Sequence, residues 1–358
     1  MNRGIIIFLA SVAVLGAVGL FLLKQGSTFF LKSPDEVRIA YVSDVGGNID
    51  IWTMKPDGSD KRQVTNDQAN DRLPVWSPNG KEIASVSDRR ENVYQVFVSA
   101  WDGSYTKQLT VGTGTKDFVQ WSADGSTLAY ISSGRVFTLQ RHGGTEQQIL
   151  PPVTTGVILD NPPYSLALWS PRDKKLAVIM NAEEGQRALV LENFDEKPFG
   201  ITAARRLAIA WSPSGEMLAV TFIGRGQENG ILTADISRVL TKDLWKIKGN
   251  AEGPLSPAWS PDGKLIAFEM WTLRDGYPDK CKGIYTINAS GGKPKLIVSG
   301  DAREPTWSPD GKYLAYVLFR PDGGRDIWRI NADGSNPLNL TNGKGDNYQA
   351  SWSPLPKK

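Results

Sequence analysis

Few residues in this sequence could carry out covalent or metal chemistry. The chain has one histidine, His142, and one cysteine, Cys281, which are too few for a zinc site or an intrachain disulfide. We interpret His142 as an exposed turn residue and Cys281 as a surface thiol. The Gly-x-Ser-x-Gly motif, which presents a nucleophilic serine in α/β-hydrolases, is also missing from the sequence. We therefore expect no catalytic residue and no metal site.

Charged residues recur instead a few positions before several Trp-Ser dipeptides, at the start of the strand that contains the tryptophan. They are Arg72, Lys116, Asp117, Arg206, Arg303 and Glu304. Side chains of these types bind partners through ion pairs and charge-assisted hydrogen bonds. Two aromatic residues, Trp271 and Tyr277, lie in the longest interruption between apolar runs. We expect them to be exposed, because aromatic side chains are enriched in protein interfaces. What these residues can bind depends on the elements that position them.

A Trp-Ser dipeptide defines those elements, because it returns seven times at intervals of 42 to 48 residues. Its tryptophans are Trp76, Trp121, Trp169, Trp211, Trp259, Trp307 and Trp352. A repeat period of about 20 to 50 residues is typical of solenoids, propellers and arrays. We predict that each tryptophan packs between neighbouring repeats, where its large ring buries apolar area.

Each repeat predicts four short strands joined by tight turns. The dipeptide is usually followed by a Pro-x-Gly turn, as in Pro261-Asp262-Gly263, and then by an apolar run such as residues 266–270. A further strand, a second turn such as Asp333-Gly334 and a last strand ending in Leu340-Thr341 complete the unit. Four strands in about 46 residues match one blade of a β-propeller.

The two ends of the chain each supply part of one blade. Residues 38–65 contain the last three strands of a repeat, and residues 349–354 contain the first strand that this repeat lacks. The sequence therefore predicts an all-β, seven-bladed propeller over residues 38–354, with the last blade closed by both termini. A closed ring leaves few open strand edges.

The repeat Trp-Ser-Pro-Asp-Gly-Lys, followed by an Ala-Phe or Ala-Tyr strand and a closing Leu-Thr, resembles the WD40-like repeat of the TolB-type propeller family. The resemblance covers residues 38–354 in seven copies. It implies a propeller that binds other proteins of the cell envelope. The family's namesake is periplasmic and has six blades behind a small separate domain, whereas this sequence predicts seven blades behind a short segment.

Residues 5–23 form the one stretch that breaks the β pattern. The stretch has nineteen residues without a charge, between Arg3 and Lys24, and this length can span a bilayer as a helix. We interpret residues 1–24 as an uncleaved membrane anchor, with a cleaved signal peptide as the alternative. Residues 25–37 are then a linker and residues 355–358 a tail. Both interpretations put the propeller on the extracytoplasmic side, either periplasmic or extracellular.

Propeller geometry places the charged residues together. Loops from the second to the third strand of each blade, and from each blade to the next, emerge on one face, which we call the loop face. The Pro-x-Gly and Asp-Gly turns lie on the opposite face, which we call the turn face. The six charged and two aromatic residues named above are therefore predicted to form a binding site at the loop face and the channel mouth. The alternative is an ordinary solvated surface.

These features together predict a membrane-tethered, non-enzymatic propeller that binds or scaffolds proteins of the cell envelope. A binder or sensor of a small ligand or glycan in the central channel is the alternative, and a carboxylate-dependent carbohydrate hydrolase or lyase is a third class. We expect no cofactor, and the sequence leaves open a calcium ion in the channel. The net charge of +3 gives no reason to expect a nucleic-acid partner.

Overall fold

The protein is built from strands throughout the part of the chain that the structure describes. The computed structural model describes residues 34–356, except residues 91, 151–163, 193–198, 225–227 and 250. In these ranges 28 strands form seven four-stranded antiparallel sheets, and the predicted seven-bladed propeller is confirmed. The predicted membrane segment, residues 5–23, lies outside the described residues. Within them, no helix is both long and apolar enough to cross a bilayer.

Six blades follow the chain, each from the innermost strand outward. Blade 2 contains β4 (Asp71–Trp76), β5 (Glu82–Ser87), β6 (Gln95–Ala100) and β7 (Thr106–Gln108). Blade 3 contains β8 (Lys116–Trp121), β9 (Thr127–Ser132), β10 (Arg135–Gln140) and β11 (Gln147–Leu150). Blade 4 contains β12 (Tyr164–Trp169), β13 (Leu176–Ala182), β14 (Gly185–Leu191) and β15 (Phe199–Ala204). Blade 5 contains β16 (Arg206–Trp211), β17 (Met217–Ile223), β18 (Glu228–Asp235) and β19 (Leu240–Lys248). Blade 6 contains β20 (Glu252–Trp259), β21 (Leu265–Arg274), β22 (Tyr277–Asn288) and β23 (Lys295–Ser299). Blade 7 contains β24 (Ala302–Trp307), β25 (Tyr313–Phe319), β26 (Arg325–Asn331) and β27 (Leu338–Asn339).

Blade 1 joins the two ends of the chain. It contains β1 (Ile39–Ser43), β2 (Asp50–Met54), β3 (Arg62–Gln63) and β28 (Asn347–Trp352). The strand order is β28, β1, β2 and β3, so the C-terminal strand is the innermost. The closure by both termini is therefore confirmed, because β28 pairs with β1 in antiparallel register.

The serine of each Trp-Ser dipeptide organises the turn that follows it. In blade 6 the Ser260 hydroxyl donates to Asp262 Oδ1 at 2.7 Å and accepts the backbone N–H of Leu265 at 2.9 Å. Gly263 has a φ of +70°, a conformation that glycine adopts without the steric cost of a Cβ. The residues Ser-Pro-Asp-Gly therefore recur because together they stabilise this tight turn.

The seven repeated tryptophans lie at the seven joints between blades. Each joint has its own cluster of apolar side chains, and one repeated tryptophan belongs to or packs against each cluster. In six of them the indole N–H also donates to a backbone carbonyl of the preceding blade. These bonds, at 2.9 to 3.1 Å, join Trp76 to Ser351, Trp121 to Val75, Trp211 to Leu168, Trp259 to Ala210, Trp307 to Ala258 and Trp352 to Thr306. At the joint of blades 3 and 4, the backbone N–H of Trp169 donates to Gln120 Oε1 at 2.7 Å.

The threonine that ends the Leu-Thr motif, which is Val-Thr in blade 1, binds the outer strand of a blade to its third strand. In blade 1 the Thr65 hydroxyl accepts the N–H of Ile51 at 2.9 Å and donates to Asp50 Oδ1 at 3.2 Å. Blades 2 and 7 repeat the donor bond, from Thr110 to Gln95 at 2.9 Å and from Thr341 to Asp326 at 2.8 Å. The motif therefore holds short outer strands in register.

Candidate functional site at the loop face and channel mouth

Four consecutive inner strands bend in the same way where they line the channel. In blades 6, 7, 1 and 2 the residue three before the repeated tryptophan has a positive φ, in the left-handed region that non-glycine residues rarely adopt. These residues are Ser256 at +51°, Glu304 at +55°, Gln349 at +55° and Leu73 at +56°. The strand pairing is irregular at the same points, which is typical of β-bulges. The channel wall formed by blades 6, 7, 1 and 2 therefore has a backbone conformation that the inner strands of the other three blades do not show at this position.

The bulges form a relay of hydrogen bonds from blade to blade. The backbone N–H of Leu73 donates to Gln349 Oε1 at 2.9 Å, and the N–H of Gln349 donates to Glu304 Oε2 at 2.8 Å. The N–H of Glu304 in turn donates to Glu269 Oε1 at 2.9 Å. The other oxygen of Glu269 accepts the indole N–H of Trp271 at 2.7 Å. Blades 6, 7, 1 and 2 are thus linked by side chains at the channel wall.

The relay places two carboxylates near each other in this wall. The Glu304 side chain is exposed, and partial burial of its carboxyl group raises the pKa of that group. The charge of Glu269 raises the pKa of Glu304 further, while Arg325 and Arg303 oppose the shift. Both carboxyl groups accept backbone N–H bonds of the bulges, so they stabilise the channel wall.

Next to these carboxylates, arginine and aromatic side chains alternate across three blades. The guanidinium carbon of Arg303 lies 4.6 Å from the ring centroid of Trp271 and 4.1 Å from that of Phe319. The guanidinium of Arg325 lies 3.7 Å from the ring centroid of Tyr348. Both arginines also have acidic partners, since Arg303 donates to Asp301 at 2.6 and 2.9 Å and Arg325 pairs with Asp346. These cations are therefore already engaged within the protein.

The expectation that Trp271 is exposed is wrong. Its side chain is only 9% exposed, because Arg303 covers its ring and Glu269 binds its indole N–H. Tyr277 is 53% exposed, as expected. The segment between them belongs to a long β-hairpin of β21 and β22, with a two-residue turn at Asp275 and Gly276.

This hairpin reaches from blade 6 to blade 5. Arg205 Nη1 donates to the backbone carbonyl of Asp275 at 2.6 Å, which holds the hairpin tip. The guanidinium carbons of Arg205 and Arg206 each lie 5.6 Å from the ring centroid of Tyr277. Among the described residues, neither arginine has an acidic side chain within ion-pair distance, and Arg206 is exposed. The two cations and the ring form an open patch on the loop face.

The remaining predicted residues are not equally accessible. Arg72 is partly exposed beside the Tyr94 ring, at 5.4 Å, and has no acidic partner in the described part of the chain. Asp117 is exposed, and partial burial of its carboxyl group raises its pKa. Lys116 is 4% exposed, and its Nζ donates to the Gly114 carbonyl at 2.8 Å. Lys116 does not reach the surface of the channel mouth.

Sequence reasoning missed Glu269, Gln349, Phe319 and Tyr348. Gln349 had a usable signal, because it has the same position relative to its tryptophan as Glu304 has. Glu269 and Phe319 lie within apolar strand segments, where a sequence pattern does not indicate which side chains reach the next blade.

The structure offers little for metal or thiol chemistry. No group of three or more His, Cys, Asp and Glu side chains among the described residues could hold a metal ion. Cys281 is half-buried rather than a surface thiol, and its Sγ donates to the Ala302 carbonyl at 3.2 Å. Burial raises the pKa of this thiol to about 12, which keeps it protonated and unreactive. His142 is exposed on the turn face.

Fold and site together define a seven-bladed β-propeller with a charged loop face. The chain belongs to the family described as the TolB beta propeller domain, whose model matches residues 23–165 and 155–354. A crystal structure of TolB from Acinetobacter baumannii is similar, with a TM-score of 0.56 and 17% identity over 90% of this chain and 68% of that chain. An identity this low shows the fold alone.

Two curated relatives match parts of the chain. Dipeptidyl-peptidase 5 of Porphyromonas gingivalis is 24% identical over 256 residues, which cover 68% of this chain and 36% of that protein. The Tol-Pal system protein TolB of Syntrophus aciditrophicus is 37% identical over 82 residues, which cover 22% of this chain and 17% of that protein. This chain therefore spans well under half the length of these relatives.

Proposed function

We propose that this chain is a non-enzymatic propeller that binds or scaffolds proteins of the cell envelope. In this proposal it works outside the cytoplasm, and residues 5–23 tether it to the membrane. Membership of the TolB propeller family supports the class of function, because the family's namesake binds partners in the envelope. Fold-level analogy alone is weak support, so the proposal also needs a site.

The observation that carries the proposal is the open patch of Arg205, Arg206 and Tyr277. An exposed aromatic ring between two cations that lack acidic partners in the described part of the chain is the kind of surface that protein interfaces use as an anchor. Arg72 adds a further cation of this kind at the channel mouth. The arginines of blade 7 are already paired within the protein, so we place the contact over blades 5 and 6.

The test is affinity capture of the tagged full-length protein from gently solubilised native membranes after brief crosslinking. The wild type should retain a near-stoichiometric envelope protein, and the Arg206→Glu variant should retain about tenfold less, because a rim charge is reversed. Arg238→Glu is the matched control, because Arg238 is an exposed arginine, 75% accessible, in the turn between β18 and β19 on the turn face. A bait that returns alone, or equal capture by Arg206→Glu, contradicts the proposal.

Membrane tethering is tested separately. The full-length protein should stay in the membrane fraction after washing at alkaline pH, and a variant that lacks residues 2–24 should not. Protease added to intact spheroplasts should digest the propeller if it faces outward. Release of the full-length protein by the wash would exclude an uncleaved anchor.

An enzymatic function remains a second candidate, because one curated relative is named a dipeptidyl-peptidase. The match covers 36% of that relative, so its activity does not carry over to this chain. A chromogenic dipeptide substrate incubated with the purified protein should show no turnover. Turnover that survives repurification would replace the binding proposal with an enzymatic one.

A further inference from the structure

A groove at the joint of blades 2 and 3 is independent of the loop-face site. It lies on the turn face and has a volume of about 690 Å³. Its apolar floor includes Val98, Leu109 and the Tyr105 ring. Its remaining lining residues are Asn79, Lys81, Glu82, Thr106, Lys107, Arg141 and His142.

The groove holds more positive than negative charge. Glu82 is only 5% exposed, and its carboxylate accepts the Tyr105 hydroxyl and Arg141 Nε, the latter at 2.7 Å. Lys107 Nζ donates to the backbone carbonyl of His142 at 2.7 Å, and neither Lys81 nor Lys107 has an acidic partner among the described residues. Three cations against one carboxylate leave a surplus of two positive charges.

The other blades supply an internal comparison for this joint. The backbone bond from Arg141 N–H to the Ser126 carbonyl matches the bond from Ala332 N–H to the Lys312 carbonyl, so Arg141 and Ala332 have equivalent positions. In the same way, Ser77 N–H bonds the Glu82 carbonyl as Ser260 N–H bonds that of Leu265. At the joint of blades 6 and 7 these positions therefore carry Leu265 and Ala332, which pack in one apolar cluster.

The departure from the repeat at blades 2 and 3 is the Glu82–Arg141 pair, because Lys264 and Lys295 of blade 6 have the positions of Lys81 and Lys107. Lys264 lies 3.5 Å from Asp262, whereas Lys81 follows Asn79 and has no acidic partner among the described residues. The joint of blades 6 and 7 has a smaller groove of about 400 Å³, lined by Asp262 and Asp310 and without any basic side chain. A buried ion pair is not needed to hold a joint together, since replacing one with apolar residues is often neutral or stabilising. The basic groove therefore calls for an explanation other than packing.

We propose that this groove binds a phosphate group, either of a phosphate monoester or of free phosphate. A phosphate monoester carries a charge of about −1.5 to −2 at pH 7 and three acceptor oxygens, which match the surplus of two positive charges. Lys81 and Lys107 have free N–H donors, and Arg141 binds Glu82 through Nε and Nη2, which leaves Nη1 for the ligand. The floor of Val98, Leu109 and Tyr105 suits a sugar ring attached to the phosphate.

Isothermal titration calorimetry of the purified full-length protein tests the proposal, with inorganic phosphate and glucose 6-phosphate as probes at constant ionic strength. Both should bind saturably, and glucose and chloride should not. Tighter binding of glucose 6-phosphate than of inorganic phosphate would identify a sugar phosphate as the source, and equal binding would identify free phosphate. Absence of saturable binding of both probes overturns the proposal.

Two variants should change the affinity in opposite directions. Lys81→Met removes a cation that has no acidic partner in the described part of the chain, and it should weaken binding about tenfold. Glu82→Gln raises the surplus to three positive charges and should tighten binding several-fold, as long as the variant has a normal melting temperature. Lys264→Met is the matched control, because Lys264 has the turn position in blade 6 that Lys81 has in blade 2. If Lys81→Met and Lys264→Met lost the same amount of affinity, the groove would not be the binding site.

Discussion

Arg38 and Ser353 are 315 positions apart in the sequence and are joined by two hydrogen bonds. The backbone N–H of Arg38 donates to Ser353 Oγ at 2.9 Å, and the N–H of Ser353 donates to the Arg38 carbonyl at 2.8 Å. Ser260 makes the same two bonds with Leu265, five residues away. The closing blade therefore reproduces, between the ends of the chain, a turn contact that is local elsewhere.

We expect Ser353→Ala to weaken this closure. The buried N–H of Arg38 would lose its side-chain acceptor, which costs about 1 to 3 kcal/mol of the free energy of unfolding. Ser335→Ala is the control, because Ser335 is an exposed turn residue whose hydroxyl donates to Asp333 Oδ1 at 2.7 Å, and its loss should cost about 0.5 kcal/mol or less. Urea unfolding of both variants measures the difference, and equal effects would show that the ring does not depend on this contact.

A second prediction concerns the buried carboxyl group of Asp50. Burial raises its pKa to about 6, and Asp71 and Asp67 add to the shift, while hydrogen bonds from Gln63 and Thr65 oppose it. Because the folded-state pKa lies above the unfolded value of 3.8, the folded protein binds more protons between these values. The contribution of Asp50 to stability is therefore complete below about pH 3.8 and is lost as the pH rises through about 6.

The variant that isolates this effect is Asp50→Asn. Gln95, the equivalent residue of blade 2, already carries an amide that accepts the Thr110 hydroxyl, so a neutral amide fits this position. The stability of the variant relative to wild type should rise by about 2 kcal/mol between pH 4 and pH 7. Urea unfolding at four pH values gives this difference, and a flat difference would mean that Asp50 is ionised at pH 4.

Arg303 and Arg206 should respond differently to charge reversal. Arg303→Glu would lose the bonds to Asp301 and place a carboxylate between two aromatic rings near Glu269 and Glu304, so we expect a loss of about 2 kcal/mol in stability. Arg206→Glu loses only a stacking contact at an exposed site, so its free energy of unfolding should fall by about 0.5 to 1 kcal/mol. Thermal unfolding distinguishes them, and equal losses would show that the arginines of blade 7 are not engaged as described.

The repeat explains why so much of the fold could be predicted from the sequence. Seven copies of Trp-Ser and its turn repeat the same local chemistry, and the fragments at residues 38–65 and 349–354 complete each other. The shared position of Glu304 and Gln349 before their tryptophans was visible in the sequence, but the bulges and the hydrogen bonds between them were not, because bulge residues share a conformation rather than a residue type. The contact of Arg303 with Trp271 was missed because it joins two blades.

The hairpin of β21 and β22 is the exception, since the sequence did contain its signal. Asp-Gly is a dipeptide that favours a two-residue hairpin turn, and both residues have positive φ, +54° for Asp275 and +78° for Gly276. The polar residues after Gly276, Asp279 to Lys282, hide the second strand of the hairpin from an apolar pattern. The two strands pair up to Arg274 and Tyr277 with two register shifts on the way, and Arg205 holds the tip of the hairpin.

Gly276→Ala tests how that tip is held. A Cβ at Gly276 would lie 2.1 Å from Arg205 Nη1, so Arg205 must move and lose its bond to the Asp275 carbonyl. Gly263→Ala is the matched control, because Gly263 has a similar φ of +70° but no described atom within 4 Å of the position that a Cβ would take. The free energy of unfolding of both variants should fall by about 1 to 2 kcal/mol, because alanine is strained in the left-handed conformation. Only Gly276→Ala should increase amide hydrogen exchange in residues 273–278, because only that variant releases the tip from blade 5. Unchanged exchange in both variants would mean that the hairpin stays in place without Arg205, and the open patch of Arg205, Arg206 and Tyr277 would then not depend on this contact.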